Sequence, residues 1–180
     1  LCGDHRTMLE HPEELLKGIE LVRIAHGLDK CYYGIEKNKQ DAIDLLNSLD
    51  PAKYGVEIVG SIDDLLKQVD YVLLETNDGN MHLEQAAQVM KAGKPMFIDK
   101  PIAGHLNEAI AIFELSKKYN VPLFSSSSLR YTAATQEIHN GKYGEVIGAD
   151  SYGPDNSEPS HGDFTWYGIH AVEALYAVMG

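Results

Sequence analysis

Cysteine is scarce: Cys2 and Cys31 are the whole complement. Neither stands in a CxxC or Cys/His spacing that would assemble a tetrahedral metal site, so no metal is expected. So few thiols fit a reduced, cytoplasmic setting. No apolar run approaches the roughly 20 residues that cross a bilayer, and the first residues lack the charged-then-apolar order of a secretion signal. No membrane span is therefore expected. Positive charge is in short supply too: 15 Lys and Arg against 27 Asp and Glu leave a net charge of -12. A phosphate backbone repels such a surplus, which argues against a nucleic-acid partner. The carboxylates are scattered, as on an ordinary solvated surface, rather than gathered in a tail. An initiator Met is missing from the opening Leu1-Cys2-Gly3, as expected of a chain that starts inside a longer one.

What is present describes a folding domain. A chain of 180 residues with 44% hydrophobic and 23% charged residues can bury one complete domain plus the beginning of a second. Leu15, Ile19, Val22 and His26 recur at helical spacing over residues 10–28, with Pro12 in the first turn and Gly27 as the stop. Residues 30–35 read as a strand, and Asn38 as the cap of a helix bearing Ala42, Ile43, Leu45 and Leu46. From Gly55 strands and helices alternate: strand 56–59, helix 61–68, strand 71–74, helix 81–91, strand 96–98, helix 106–119, strand 122–125. Short apolar strands separated by single helices predict an α/β fold, a doubly wound parallel sheet of Rossmann-like type, over residues 1–130. After Arg130 the rhythm changes. A strand at 145–152, a polar loop at 153–162 and a helix at 166–179 predict the truncated start of a second α/β domain over 131–180.

Ligands of open parallel sheets bind at the carboxyl ends of the strands. Three such ends carry polar residues. Glu75-Thr76-Asn77-Asp78-Gly79 leads into a helix beginning near His82, which suits a ribose-bearing or anionic ligand and equally suits ordinary capping. Asp99-Lys100-Pro101 offers a lysine that can hold a hydroxyl or carbonyl oxygen and trade a proton with it, or simply form a surface ion pair. Residues 125–130 place hydroxyls after the last parallel strand, where satisfying the loop backbone is the favoured role. On the final helix, His170 can act as a general acid or base, although a lone helical histidine is more often structural.

These segments occur together and in order. Val72-Leu73-Leu74-Glu75-Thr76 with His82, the run from Ala92-Gly93-Lys94-Pro95 to Asp99-Lys100-Pro101, Gly141-Lys142-Tyr143-Gly144-Glu145-Val146 and Gly168-Ile169-His170 make residues 55–180 resemble the Gfo/Idh/MocA oxidoreductases. The resemblance implies a Rossmann domain followed by an open-faced substrate domain, with NAD or NADP as cofactor and a small hydroxylated, sugar-like substrate oxidised or reduced by hydride transfer. It implies that Lys100 matches the family's Glu-Lys-Pro lysine, with Asp99 in place of the Glu. It also implies that His170 matches the substrate-contacting histidine, and that Thr76, Asn77, His82, Asp99 and Lys100 line the cofactor. The family histidine is commonly paired with an aspartate four residues earlier, a position held here by Trp166.

The first third departs from that pattern. The G-x-G-x-x-G turn that lets backbone approach a pyrophosphate occurs nowhere in the sequence. Instead Met8-Leu9-Glu10-His11-Pro12-Glu13-Glu14, Tyr33-Gly34-Ile35-Glu36 and Asn38 make residues 4–46 similar to the C subunit of Rnf-type electron-transport complexes. That resemblance implies a chimera in which one helix–strand–helix unit replaces the first βα unit. Three readings follow: an NAD(P)-dependent oxidoreductase, with a homo-oligomer compatible; a non-catalytic chimeric or truncated scaffold; and an electron-transfer module.

Overall fold

The computed structural model describes residues 3–154 and 163–180. They form two compact units, residues 1–70 and 71–180, dividing inside the stretch expected to be one domain.

The first unit opens with α1 (Gly3–Glu10) and α2 (Pro12–Ala25). The expected helix at 10–28 is thus interrupted at His11, where Pro12 starts a new first turn. Gly27 ends the run with φ of 64°, a left-handed conformation that suits glycine. β1 (Cys31–Gly34) then leads through a 3₁₀ turn at Lys37–Lys39 into α3 (Gln40–Ser48). Asn38 does not cap α3: it sits inside the 3₁₀ turn, and Lys39 occupies the cap position without a side-chain capping bond. β2 (Val56–Val59) pairs parallel with β1, Cys31 opposite Val56 and Gly34 opposite Val59. α4 (Ile62–Leu66) is capped by Ser61, whose side chain accepts from the Asp64 amide. Met8, Leu16, Ala42, Leu46, Tyr54 and Val56 make the core, so α1, α2, α3 and β2 bury their apolar faces together.

The second unit contains β3 (Val72–Leu74), α5 (His82–Lys91), β4 (Met96–Asp99), α6 (Leu106–Tyr119) and β5 (Leu123–Ser126), within about a residue of expectation. The three strands pair in the order β3-β4-β5, all parallel. Met96, Ile98, Val89, Met90 and Ile112 are buried. On the other face Leu73, Phe97 and Phe124 stand side by side in register, and Leu73 and Phe124 remain exposed. α7 (Ala133–His139), a short turn α8 (Asp163–Trp166) and α9 (Gly168–Met179) complete the unit.

The expected Rossmann-like α/β fold forms with every strand pair parallel, its described strands lying in two sheets, β2-β1 and β3-β4-β5. Doubly wound sheets of the Rossmann type run in the order 3-2-1-4-5-6. Taken separately, β2-β1 has the order 3-2 and β3-β4-β5 the order 4-5-6, and no strand among the described residues corresponds to strand 1. The strand expected at 145–152 does not form. That segment has no ladder partner among the described residues, and Ile147 and Tyr152 are 94% and 96% exposed. Most of the polar loop expected at 153–162 lies outside the described residues.

Candidate functional site

β4 and β5 end side by side, with Asp99 opposite Ser126. The chain leaves β4 through Lys100 and a cis Lys100-Pro101 bond. Lys100 Nζ stands 3.9 Å from Asp99 Oδ2, a loose pair that leaves the ammonium free to meet another oxygen. β5 continues into Ser127, which is fully buried and caps the 3₁₀ turn Ser128–Tyr131 by accepting from the Leu129 amide at 3.1 Å.

α9 brings the third element. His170, in its first turn, places Nδ1 2.6 Å from Ser127 Oγ. Burial pushes the His170 imidazole below its ordinary value, and the Lys100 charge pushes it further, against the opposing pull of Asp99 and Glu173. Lys100, Asp99 and His170 therefore share one locality. One turn further along α9, Glu173 accepts from Arg130 Nε at 2.7 Å, tying the helix to the turn that follows β5. The Tyr167 ring lies 6.0 Å from that of His170. Trp166, where the resemblance expects an aspartate, packs edge-on against Tyr167.

The turn after β3 is joined to the lysine loop by His82. This residue is fully buried, and its two ring nitrogens lie 2.8 Å from the carbonyl oxygens of Pro101 and Thr76. Thr76 Oγ1 is bonded to Gln85 on α5. Asp78 caps the turn by accepting from the Asn80 amide. Gly79 is required by close approach, since a Cβ there would stand 2.8 Å from Pro101 Cγ.

Of the residues singled out in the sequence, Lys100, Asp99 and His170 are gathered at the ends of β4 and β5. Thr76 is connected to them through His82, and Asn77 follows in the same turn. His82 is enclosed rather than presented to a ligand, and it reaches the site through backbone carbonyls. Ser127, Arg130 and Glu173 were not singled out individually. The serine run was visible, but choosing among its members needs the burial of Ser126 and Ser127 against the exposed Ser128. The i, i+3 spacing of His170 and Glu173 was the available signal for the last.

This polar rim has the donors and acceptors to meet the nicotinamide and ribose end of a dinucleotide: Thr76, Asn77, Asp99 and Lys100. No residue is assigned to the phosphates, because the sequence has no glycine-rich loop and the glycine in the β3 turn is filled by Pro101. Among the described residues no group of three His, Cys, Asp or Glu side chains converges as a metal site. Nor is any helix long and apolar enough to cross a membrane.

The chain is similar to the uncharacterized oxidoreductase YhhX of Escherichia coli (strain K12), 24% identical over 143 residues, covering 72% of this chain and 41% of that protein. It spans less than half the length of each of three curated relatives, 41%, 28% and 48%. Among solved structures it resembles GenD2 from gentamicin A biosynthesis in complex with NAD, with a TM-score of 0.64 at 20% identity, covering 85% of this chain and 47% of that one. It also resembles the WlbA dehydrogenase from Bordetella pertussis in complex with NADH and UDP-GlcNAcA, with a TM-score of 0.57 at 19% identity, covering 72% and 36%. At these identities the likeness establishes the Rossmann-like fold. The family described as "Oxidoreductase family, NAD-binding Rossmann fold" matches residues 30–127, more than half of the chain, and takes in β1 and α3 as well as the Lys100 loop. The chain belongs to this Gfo/Idh/MocA oxidoreductase family.

Proposed function

We propose that this chain carries the nicotinamide-facing half of an NAD(P)-dependent oxidoreductase that acts on a small hydroxylated, sugar-like substrate. One observation carries the reading: Lys100, Asp99 and His170 come together where two parallel strands end, the place where such sheets bind ligands. The NAD of one structural neighbour and the NADH and nucleotide sugar of another support the cofactor and substrate class. A nicotinamide, when bound, would supply the hydride in the reducing direction and accept it in the oxidising one. In the reducing direction the Lys100 ammonium gives a proton to the substrate carbonyl oxygen, and in the oxidising direction its amine takes the hydroxyl proton back. His170 contacts the same substrate, Thr76 and Asn77 line the cofactor, and Asp99 keeps the Lys100 side chain near the strand end. His82 holds the Thr76 turn to the Pro101 loop. We assign residues 1–130 to the cofactor domain and 131–180 to the opening of the substrate domain. A reducing, cytoplasmic setting and self-association belong to the same proposal.

A second reading rests on the missing glycine turn: a chimeric scaffold in which the helix–strand–helix unit of the Rnf-like stretch, whose α1 and α2 lie outside the family match, replaces the first βα unit without binding phosphate. Their apolar faces share one core with the family-matched α3 and β2, which is how such a graft would fold. The electron-transfer module draws on the same Rnf-like stretch alone. Titration with NADH and NADPH, followed by nicotinamide fluorescence, separates the readings. Saturable binding that weakens roughly tenfold in Lys100→Ala, the loss of one charge-assisted contact, supports the oxidoreductase. No binding at millimolar cofactor overturns it and leaves the scaffold.

A further inference from the structure

We propose that Ser127 is a positioning residue that fixes the proton of His170 on Nε2, so that the histidine meets the substrate oxygen as a hydrogen-bond donor and proton transfer is left to Lys100. The second half of this inference rests on the oxidoreductase reading; the first half does not.

The bonding partners decide the direction. Ser127 Oγ already accepts the Leu129 amide, so one lone pair is taken. Its own proton has His170 Nδ1 as its acceptor, at 2.6 Å. With the hydroxyl donating, Nδ1 is the unprotonated nitrogen and Nε2 carries the hydrogen. Were the proton on Nδ1, Oγ would receive two N–H groups while its own hydrogen was buried unpaired, in a residue with no exposed surface. A carboxylate in this place would act in the opposite sense, because it can only accept and therefore holds the proton on Nδ1. Trp166 cannot play that part, since an indole offers a donor and no acceptor. The buried serine just after β5 thus takes over orientation of the ring and reverses its polarity toward the substrate.

The charged groups felt by the imidazole agree with a neutral ring. Lys100, from the loop after β4, opposes a second positive charge. Asp99 and Glu173 favour one, but Asp99 is shared with Lys100 and Glu173 is bonded to Arg130. Ser127 and Tyr167 also stand beside the ring.

Long-range ¹H–¹⁵N spectra of the uniformly labelled chain, with His170 assigned by His170→Gln, read the tautomer without any need for turnover. The expected result is a single Nε2–H form at neutral pH, titrating below the ordinary midpoint of about 6.5. Ser127→Ala should give a mixture of tautomers, and Ser127→Asp should move the proton to Nδ1 and raise the midpoint by about one unit or more. An Nδ1–H form in the unaltered chain, or a pure Nε2–H form persisting in Ser127→Ala, overturns the assignment. Should Ser127→Ala not fold, the spectrum of the unaltered chain decides alone. An Nε2–H spectrum in a chain that binds no nicotinamide sustains the role of Ser127 in setting the tautomer and overturns the oxidoreductase reading.

Discussion

The two compact units solve the same packing problem with different interiors. Residues 1–70 bury an apolar set, with Leu16, Ala42 and Leu46 at its centre, and several of their ion pairs, such as Arg6–Glu10 and Lys30–Glu57, lie at the surface. Among the described residues the buried polar side chains, His82, Ser126, Ser127 and Thr135, all belong to residues 71–180. Burying a polar group is costly unless it is hydrogen-bonded, so such residues mark places where orientation matters more than stability. The contrast supports the proposed placement of the chemistry in the second unit. Even Cys31, the reactive atom nearest to hand in the first, is pushed up by burial and so holds back its thiolate.

Five measurements break or sharpen that contrast. Leu46→Ala and Ile98→Ala, each in a fully buried position, should destabilise by about 2–5 kcal/mol. Hydrogen exchange should show protection lost mainly in the unit that carries the change; equal loss in both would make the division into units a geometric one only. Lys100→Ala should lower turnover by about 100-fold or more once a substrate is found. Lys30→Ala, which removes a surface pair with Glu57 in the first unit, should leave turnover unchanged. The helix caps test the units evenly: Ser61→Ala in one and Thr132→Ala in the other should each cost about 1 kcal/mol in chemical denaturation.

The acid limb is smaller. His170 is depressed in the folded chain, so below its unfolded value of about 6.5 the unfolded state binds more protons. Stability should therefore fall as pH drops through that value and level off below the folded midpoint. His170→Gln should flatten this limb, and an unchanged slope would place its origin elsewhere. The smallest effect is at the exposed Asp64–Lys67 pair, where the Lys67 ammonium holds the Asp64 carboxyl below its usual range. Lys67→Ala should raise the Asp64 titration midpoint in NMR without a resolvable change in melting.

Much of this was legible in the residues themselves. The alternation from Gly55 pointed to four strands and their parallel sense, because short apolar strands joined by single helices have few other solutions. Asp99-Lys100-Pro101 was legible because it follows the apolar run Met96-Phe97-Ile98. The site's inner partners were not. Ser127 and Ser128 are identical letters, and only the path of the chain after β5 buries one and exposes the other. Asn38 had the right chemistry for a cap but fell inside a 3₁₀ turn. The strand at 145–152 failed for a different reason: period-two alternation states a willingness to pair and says nothing about whether a neighbour is present.

The attachment of α9 has a practical consequence. This helix is tied to the body of its unit by Ser127 at His170, by Arg130 at Glu173 and by the His139 ring at the Ala177 carbonyl, with Ala177 itself buried. The preceding stretch at 145–154 has no ladder holding it and is largely open to solvent. A protease should nick the polypeptide there first, and the severed carboxyl-terminal fragment should travel with the remainder through gel filtration, parting from it only in denaturant.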